Sequence, residues 1–69
     1  MKPEQMVHMA NQIAAFFAPY PHDDAVEGVR KHLLDFWEPR MRRQLLDHLA
    51  AGGEGLAPLA REAAGGLRA

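Results

Sequence analysis

The side chains that could do chemistry are histidines, carboxylates and a cluster of arginines. Each has to be weighed against the elements that would hold it. His8, His22, His32 and His48 lie on separate stretches of chain, with no pair at i,i+4, no H-E-x-x-H and no cysteine. Metal-ligand spacing is therefore absent, and the four read as surface or interface histidines. Haem attachment fails because there is no C-x-x-C-H, and Met6 and Met9 read as core filling. The chain contains no Cys, Ser or Thr, which removes disulfides, thiolate metal sites and the usual covalent nucleophiles together; Tyr20 carries the only hydroxyl. Asp23, Asp24, Glu27, Asp35, Glu38, Asp47, Glu54 and Glu62 could act as acids or bases. Most of them fall at capping or i,i+4 positions, and so small a chain has little material for a water-excluded pocket. Gly52-Gly53-Glu54-Gly55 lacks the Lys-Ser or Lys-Thr of a phosphate loop and reads as a helix stop. No catalytic, metal or cofactor-binding residue is expected.

The densest stretch is Phe36-Trp37-Glu38-Pro39-Arg40-Met41-Arg42-Arg43. Three arginines beside the only tryptophan are residue types favoured at protein interfaces, where they supply area and multi-donor hydrogen bonding. The plainer reading is a solvated basic turn with Trp37 in the chain's own core. Helix, short turn and basic helix also loosely suggest a helix-turn-helix, so a small nucleic-acid-binding or regulatory protein is the alternative function. Against it stand a net charge of −1, the offsetting Glu38 and Asp47, and the lack of Ser and Thr for phosphate contacts. Membrane anchoring through Phe16 and Phe17 is disfavoured because the polar face of that helix lacks Lys and Arg.

The elements follow from periodicity. Twelve Ala and eight Leu against three Val and one Ile favour helix over strand. Pro3 opens a first helix to about Ala18, with Met6, Met9, Ala10, Ile13, Phe16 and Phe17 on its apolar side. Pro19-Tyr20-Pro21 ends it. Asp24 and Glu27 resemble a capping box for a second helix to about Trp37, striped by Val26, Val29, Leu33 and Phe36 or Trp37. Glu27-Lys31, Lys31-Asp35 and Arg43-Asp47 are spaced as i,i+4 charge pairs. Gly28 costs this helix about 1 kcal/mol relative to Ala, which a close helix contact would explain. Pro39 opens a third helix carrying Met41, Leu45, Leu46 and Leu49, stopped by Gly52-Gly53. Leu56, Leu59 and Ala63 follow as apolar positions, with Pro58 near a new start and Gly65-Gly66 at its end, giving a short fourth helix; Leu67-Arg68-Ala69 is expected to fray. The fold class is all-α: a small bundle of three main helices plus a short C-terminal helix. It forms one domain over residues 1–69, with 51–69 an Ala/Gly-rich tail expected to be mobile.

At 69 residues and 7.7 kDa the chain can bury only about 60% of its unfolded surface and is expected to be marginal alone. That favours a protein partner. No secretory signal pattern is visible and the apolar run Ile13 to Ala18 is too short to span a bilayer, so the expected location is the cytoplasm.

Two stretches carry a family resemblance: Met9-Ala10-Asn11-Gln12-Ile13-Ala14-Ala15-Phe16-Phe17, and Phe36 to Leu45 running on through His48-Leu49-Ala50-Ala51-Gly52-Gly53-Glu54-Gly55-Leu56. Together they resemble the delta subunit of soluble, NAD-dependent, molybdenum-containing formate dehydrogenases. The resemblance implies a non-catalytic accessory subunit that supports assembly or stability and docks on the larger subunits, above all the alpha subunit. In that family the larger subunits convert formate and NAD+ to carbon dioxide and NADH, and they hold molybdopterin guanine dinucleotide, iron–sulfur clusters and FMN. This chain would carry none of these cofactors and would bind neither nucleic acid nor membrane. The expected docking residues are Trp37, Arg40, Arg42 and Arg43, with Phe16 and Phe17.

Overall fold

Prolines set where the helices begin. In the computed structural model, which describes residues 1–67, four helices run in order: α1 (Pro3–Phe17), α2 (His22–Phe36), α3 (Pro39–Ala50) and α4 (Pro58–Gly65). Proline occupies the first turn of α1, α3 and α4, and Pro21 is the residue from which α2 springs. A proline there has no N–H to leave orphaned and a φ already suited to the helix. No helix start has a side-chain cap, in keeping with a chain that lacks Ser and Thr. The chain is all-α, and no strand occurs among the described residues.

Three expectations need correction. Asp24 does not cap α2: the helix begins two residues earlier, at His22, and its first bond runs from the Ala25 N–H to the Pro21 carbonyl at 2.8 Å. Proline geometry at 21 overrides the capping box, leaving Asp23 and Asp24 inside the first turn, where their charge still suits the helix N-terminus. None of the three i,i+4 charge pairs forms; among the described residues Arg30 pairs with Glu27 at 3.8 Å, and His22 Nε2 lies within hydrogen-bond distance, 2.8 Å, of the Glu62 carboxylate. Long exposed side chains gain too little from such contacts to be held in one geometry. Leu67 is buried in the core, whereas Arg68 and Ala69 lie outside the described residues.

The core is built from one face of each helix. Met6, Ala10 and Ala14 of α1 meet Val26, Val29 and Leu33 of α2, Leu45 of α3 and Ala60, Ala63 and Ala64 of α4, with Leu56 and Leu67 at either end of α4. The periodicity marks Leu59 and Ala63 on α4, yet the chain buries Ala60, Ala63 and Ala64 and leaves Leu59 half-buried. Small side chains let α4 approach closely, and α1 and α4 each pack against all three other helices while α2 and α3 meet only weakly. Among the described residues no polar or charged residue is buried. The radius of gyration, 10.6 Å, is close to the roughly 11 Å expected of a folded domain of this length.

The connection from α3 to α4 is a built turn. Gly53 N–H donates to the His48 carbonyl at 2.9 Å and Gly52 N–H to Leu49 at 3.0 Å, the bond pair of a Schellman cap, with φ of +121° at Gly52 and +64° at Gly53. Arg61 of α4 donates to the Gly52 and Gly53 carbonyls at 3.0 and 2.9 Å, and His48 Nε2 lies 2.8 Å from the Glu54 carbonyl oxygen. Asn11 of α1 closes the turn from the other side: its Nδ2 donates to the Gly55 carbonyl at 2.9 Å and its Oδ1 accepts from the Ala57 N–H at 2.8 Å. The two stretches that carry the family resemblance therefore meet at Asn11.

Candidate docking surface

Trp37 follows α2 directly in an extended conformation, and its N–H donates to the Leu33 carbonyl at 3.0 Å. That backbone turn carries the indole into the core, where the residue is 5% exposed. The plainer sequence reading, Trp37 as the chain's own core, describes its position. Phe36, its neighbour, is turned outward and is 73% exposed. Only one of two adjacent aromatics at a helix end can face inward, and the extended backbone at 37 selects the tryptophan.

The three arginines have separate situations. Arg42 folds back on the end of α2, its Nη1 donating to the Trp37 carbonyl and, at 3.4 Å, to the Leu34 carbonyl. These carbonyls belong to the last turn of α2 and the residue after it, where partners are otherwise lacking. Half-buried, Arg42 acts as a clasp between α2 and α3, and its Nε has no hydrogen-bond partner. Arg40 and Arg43 are exposed and make no ion pair among the described residues. They stand on the side of α3 away from the buried Leu45, two residues from Arg43 and so about 200° around the helix.

Phe16 and Phe17 stand at the end of α1. Phe16 is 68% exposed; Phe17 is half-buried against the core, with its ring edge-on to Phe16 at 5.0 Å between centroids. Phe17 also lies over Gly28 of α2, where an added Cβ would come within 2.6 Å of the ring. Beside them His32 and Phe36 of α2 stack with centroids 4.7 Å apart. Phe17 and His32 line two adjoining hollows, one of about 410 Å³ shared with Ile13 and Phe16, the other of about 250 Å³ shared with Phe36. The result is an aromatic seam between α1 and α2, and none of the arginines lines it. The expected docking residues include Phe16 and Phe17 but neither His32 nor Phe36, although Phe36 opens the Trp/Arg stretch. Their i,i+4 spacing was the available signal.

A larger hollow, about 490 Å³, opens between α1 and the α3–α4 turn and is lined by His8, Asn11, His48 and Glu54 among others. Among the described residues no three His, Cys, Asp or Glu side chains are grouped to hold a metal ion. Nor is any helix there long and apolar enough to cross a membrane.

In comparison with known proteins, the family model described as NADH-dependent formate dehydrogenase delta subunit FdsD matches residues 5–64. No curated protein and no solved structure matches the chain.

Proposed function

We infer the role of the chain from its family: it belongs to the delta subunits of NADH-dependent formate dehydrogenases, over residues 5–64 of 69. That membership is the observation that carries the reading. The chain is a non-catalytic accessory subunit, a small four-helix bundle that docks on the larger cytoplasmic subunits, chiefly the alpha subunit, and supports assembly or stability of the complex.

The donor chemistry of the chain agrees with a role beside the cofactors. It has no cysteine to hold an iron–sulfur cluster and no Ser, Thr or Cys nucleophile for covalent catalysis. Its exposed side chains suit docking instead: Phe16 and Phe36 offer apolar area, and Arg40 and Arg43 offer guanidinium groups that make no ion pair among the described residues. Trp37 and Arg42, from the same sequence cluster, serve docking indirectly by holding the α2–α3 corner in shape.

The test is to produce the complex with and without this chain. Without it, the yield of assembled enzyme should fall several-fold, while the fraction that does assemble with full molybdenum and iron content should keep its kcat. A fully loaded enzyme that turns over only when this chain is present would overturn the non-catalytic assignment. A tagged chain that brings down no larger subunit would overturn membership in the complex.

A further inference from the structure

We propose that the seam between α1 and α2 receives an amphipathic helix of one of the larger subunits; this rests on the reading of the chain as a subunit of that complex. The floor of the seam is Phe17 and His32, its walls Ile13 with Phe16 on one side and Phe36 on the other. Phe16 and Phe36 are among the most exposed large apolar side chains of the molecule, although a core closed by Met6, Val29, Leu33 and Leu45 lies beside them. Water-exposed rings at 68% and 73% are what a partner would cover.

The chemistry of the seam selects the kind of occupant. An extended segment brings a row of backbone N–H and C=O groups that need partners, and β-addition needs a strand edge, which the described residues do not provide. The polar side chains that line the seam are few: Gln12 and His32 along its length, and Lys31 and Asp35 at the Phe36 end. A helix satisfies its own backbone and can lay an apolar i, i+3, i+4, i+7 stripe against the rings. Charge at the rim adds a second condition. Lys31 and Asp35 flank the hollow at the Phe36 end and, although spaced i,i+4, make no ion pair with each other. Both signs are therefore open to a partner, which should carry an acid opposite Lys31 and a base opposite Asp35.

Area argues against a second copy of the chain as the occupant. Two rings at these exposures present on the order of 300 Å², which doubled by symmetry gives about 600 Å². Stable specific interfaces begin near about 1,200 Å². A helix from a large subunit escapes this limit because the rest of that subunit extends the contact beyond the seam.

Two experiments on the complex decide the matter. In the first, Phe36→p-benzoylphenylalanine is incorporated, the purified complex irradiated and the cross-linked peptide sequenced. The expected product is a segment of a larger subunit with helical apolar spacing flanked by both charge signs. Cross-linking to a second copy of this chain, or to a segment without that spacing, overturns the proposal. In the second, Phe16→Glu with Phe36→Glu is compared with Arg40→Ala plus Arg43→Ala and with the rim variant Lys31→Glu, helix content being checked by circular dichroism. The seam double variant should lose incorporation by about thirtyfold or more, as interface hot spots do. Lys31→Glu, on an exposed rim, should weaken incorporation by a smaller factor without touching the fold. Unchanged incorporation of both overturns the seam and leaves the subunit reading standing. Failure of the wild-type chain itself to join the larger subunits overturns the subunit reading instead.

Discussion

Gly28 sits in the interior of α2, where Ala would favour the helix by about 1 kcal/mol. The Phe17 ring occupies the space such a methyl would need, at 2.6 Å, so the residue must stay small for α1 to seat its last aromatic against α2. Two effects of opposite sign compete at one position, and overpacking typically costs about 1–3 kcal/mol. We expect Gly28→Ala to destabilise the isolated chain by about 1 kcal/mol and to stabilise it by about 1 kcal/mol when Phe17→Ala is already present. A urea-denaturation cycle over the four variants would measure the coupling, and additive effects would show that the ring is not what restricts position 28. That the glycine marks a close helix approach is readable from its place in a helical pattern. Its partner is not readable, because periodicity puts Phe16 and Phe17 on the same broad apolar side and cannot say which ring turns inward.

At the scale of elements, the α2–α3 corner shows a single arginine joining two helices. Arg42 supplies donors to the Leu34 and Trp37 carbonyls from the neighbouring helix, a C-terminal cap contributed in space. Arg43, the next residue, is exposed and makes no ion pair among the described residues. Arg42→Ala should therefore lower stability by about 1–2 kcal/mol, whereas Arg43→Ala should leave it within about 0.5 kcal/mol of wild type. Thermal melts of the two single variants would separate the roles, and equal effects would show that Arg42 is not a clasp. The four helices and their proline and glycine boundaries are legible in the sequence because Pro3, Pro39, Pro58 and Gly52-Gly53 act locally. The corner is less legible. Arg40, Arg42 and Arg43 read alike in a string, but they leave α3 at different angles and only Arg42 comes within reach of the end of α2. The same holds for the α3–α4 turn: the glycines announce a stop, whereas the clamps that pin it, Asn11 and Arg61, lie 44 and 8 residues from the carbonyls they bind.

For the whole molecule, the expectation of a chain short of core becomes more specific. Its accessible surface, 4504 Å², is near the roughly 4,300 Å² typical of a folded monomer of this mass, and Met6, Val29, Leu33 and Leu45 are fully enclosed. The core closes on itself, so a partner would not complete it. What a partner would cover is the outer seam. Binding to the folded form alone must then raise stability by linkage, about 2.7 kcal/mol when the partner is at a hundred times its Kd. Hydrogen exchange with mass spectrometry resolves one subunit within a complex, so the amides of Met6, Val29, Leu33 and Leu45 can be followed free and bound. Where exchange goes through global unfolding, these amides should slow by about a hundredfold under that condition. The Phe16→Glu, Phe36→Glu variant should show wild-type exchange alone and little slowing on adding the larger subunits, since its core is intact and only the contact is lost. Core amides of the wild-type chain that exchange equally fast free and bound would mean that the larger subunits do not select the folded four-helix form.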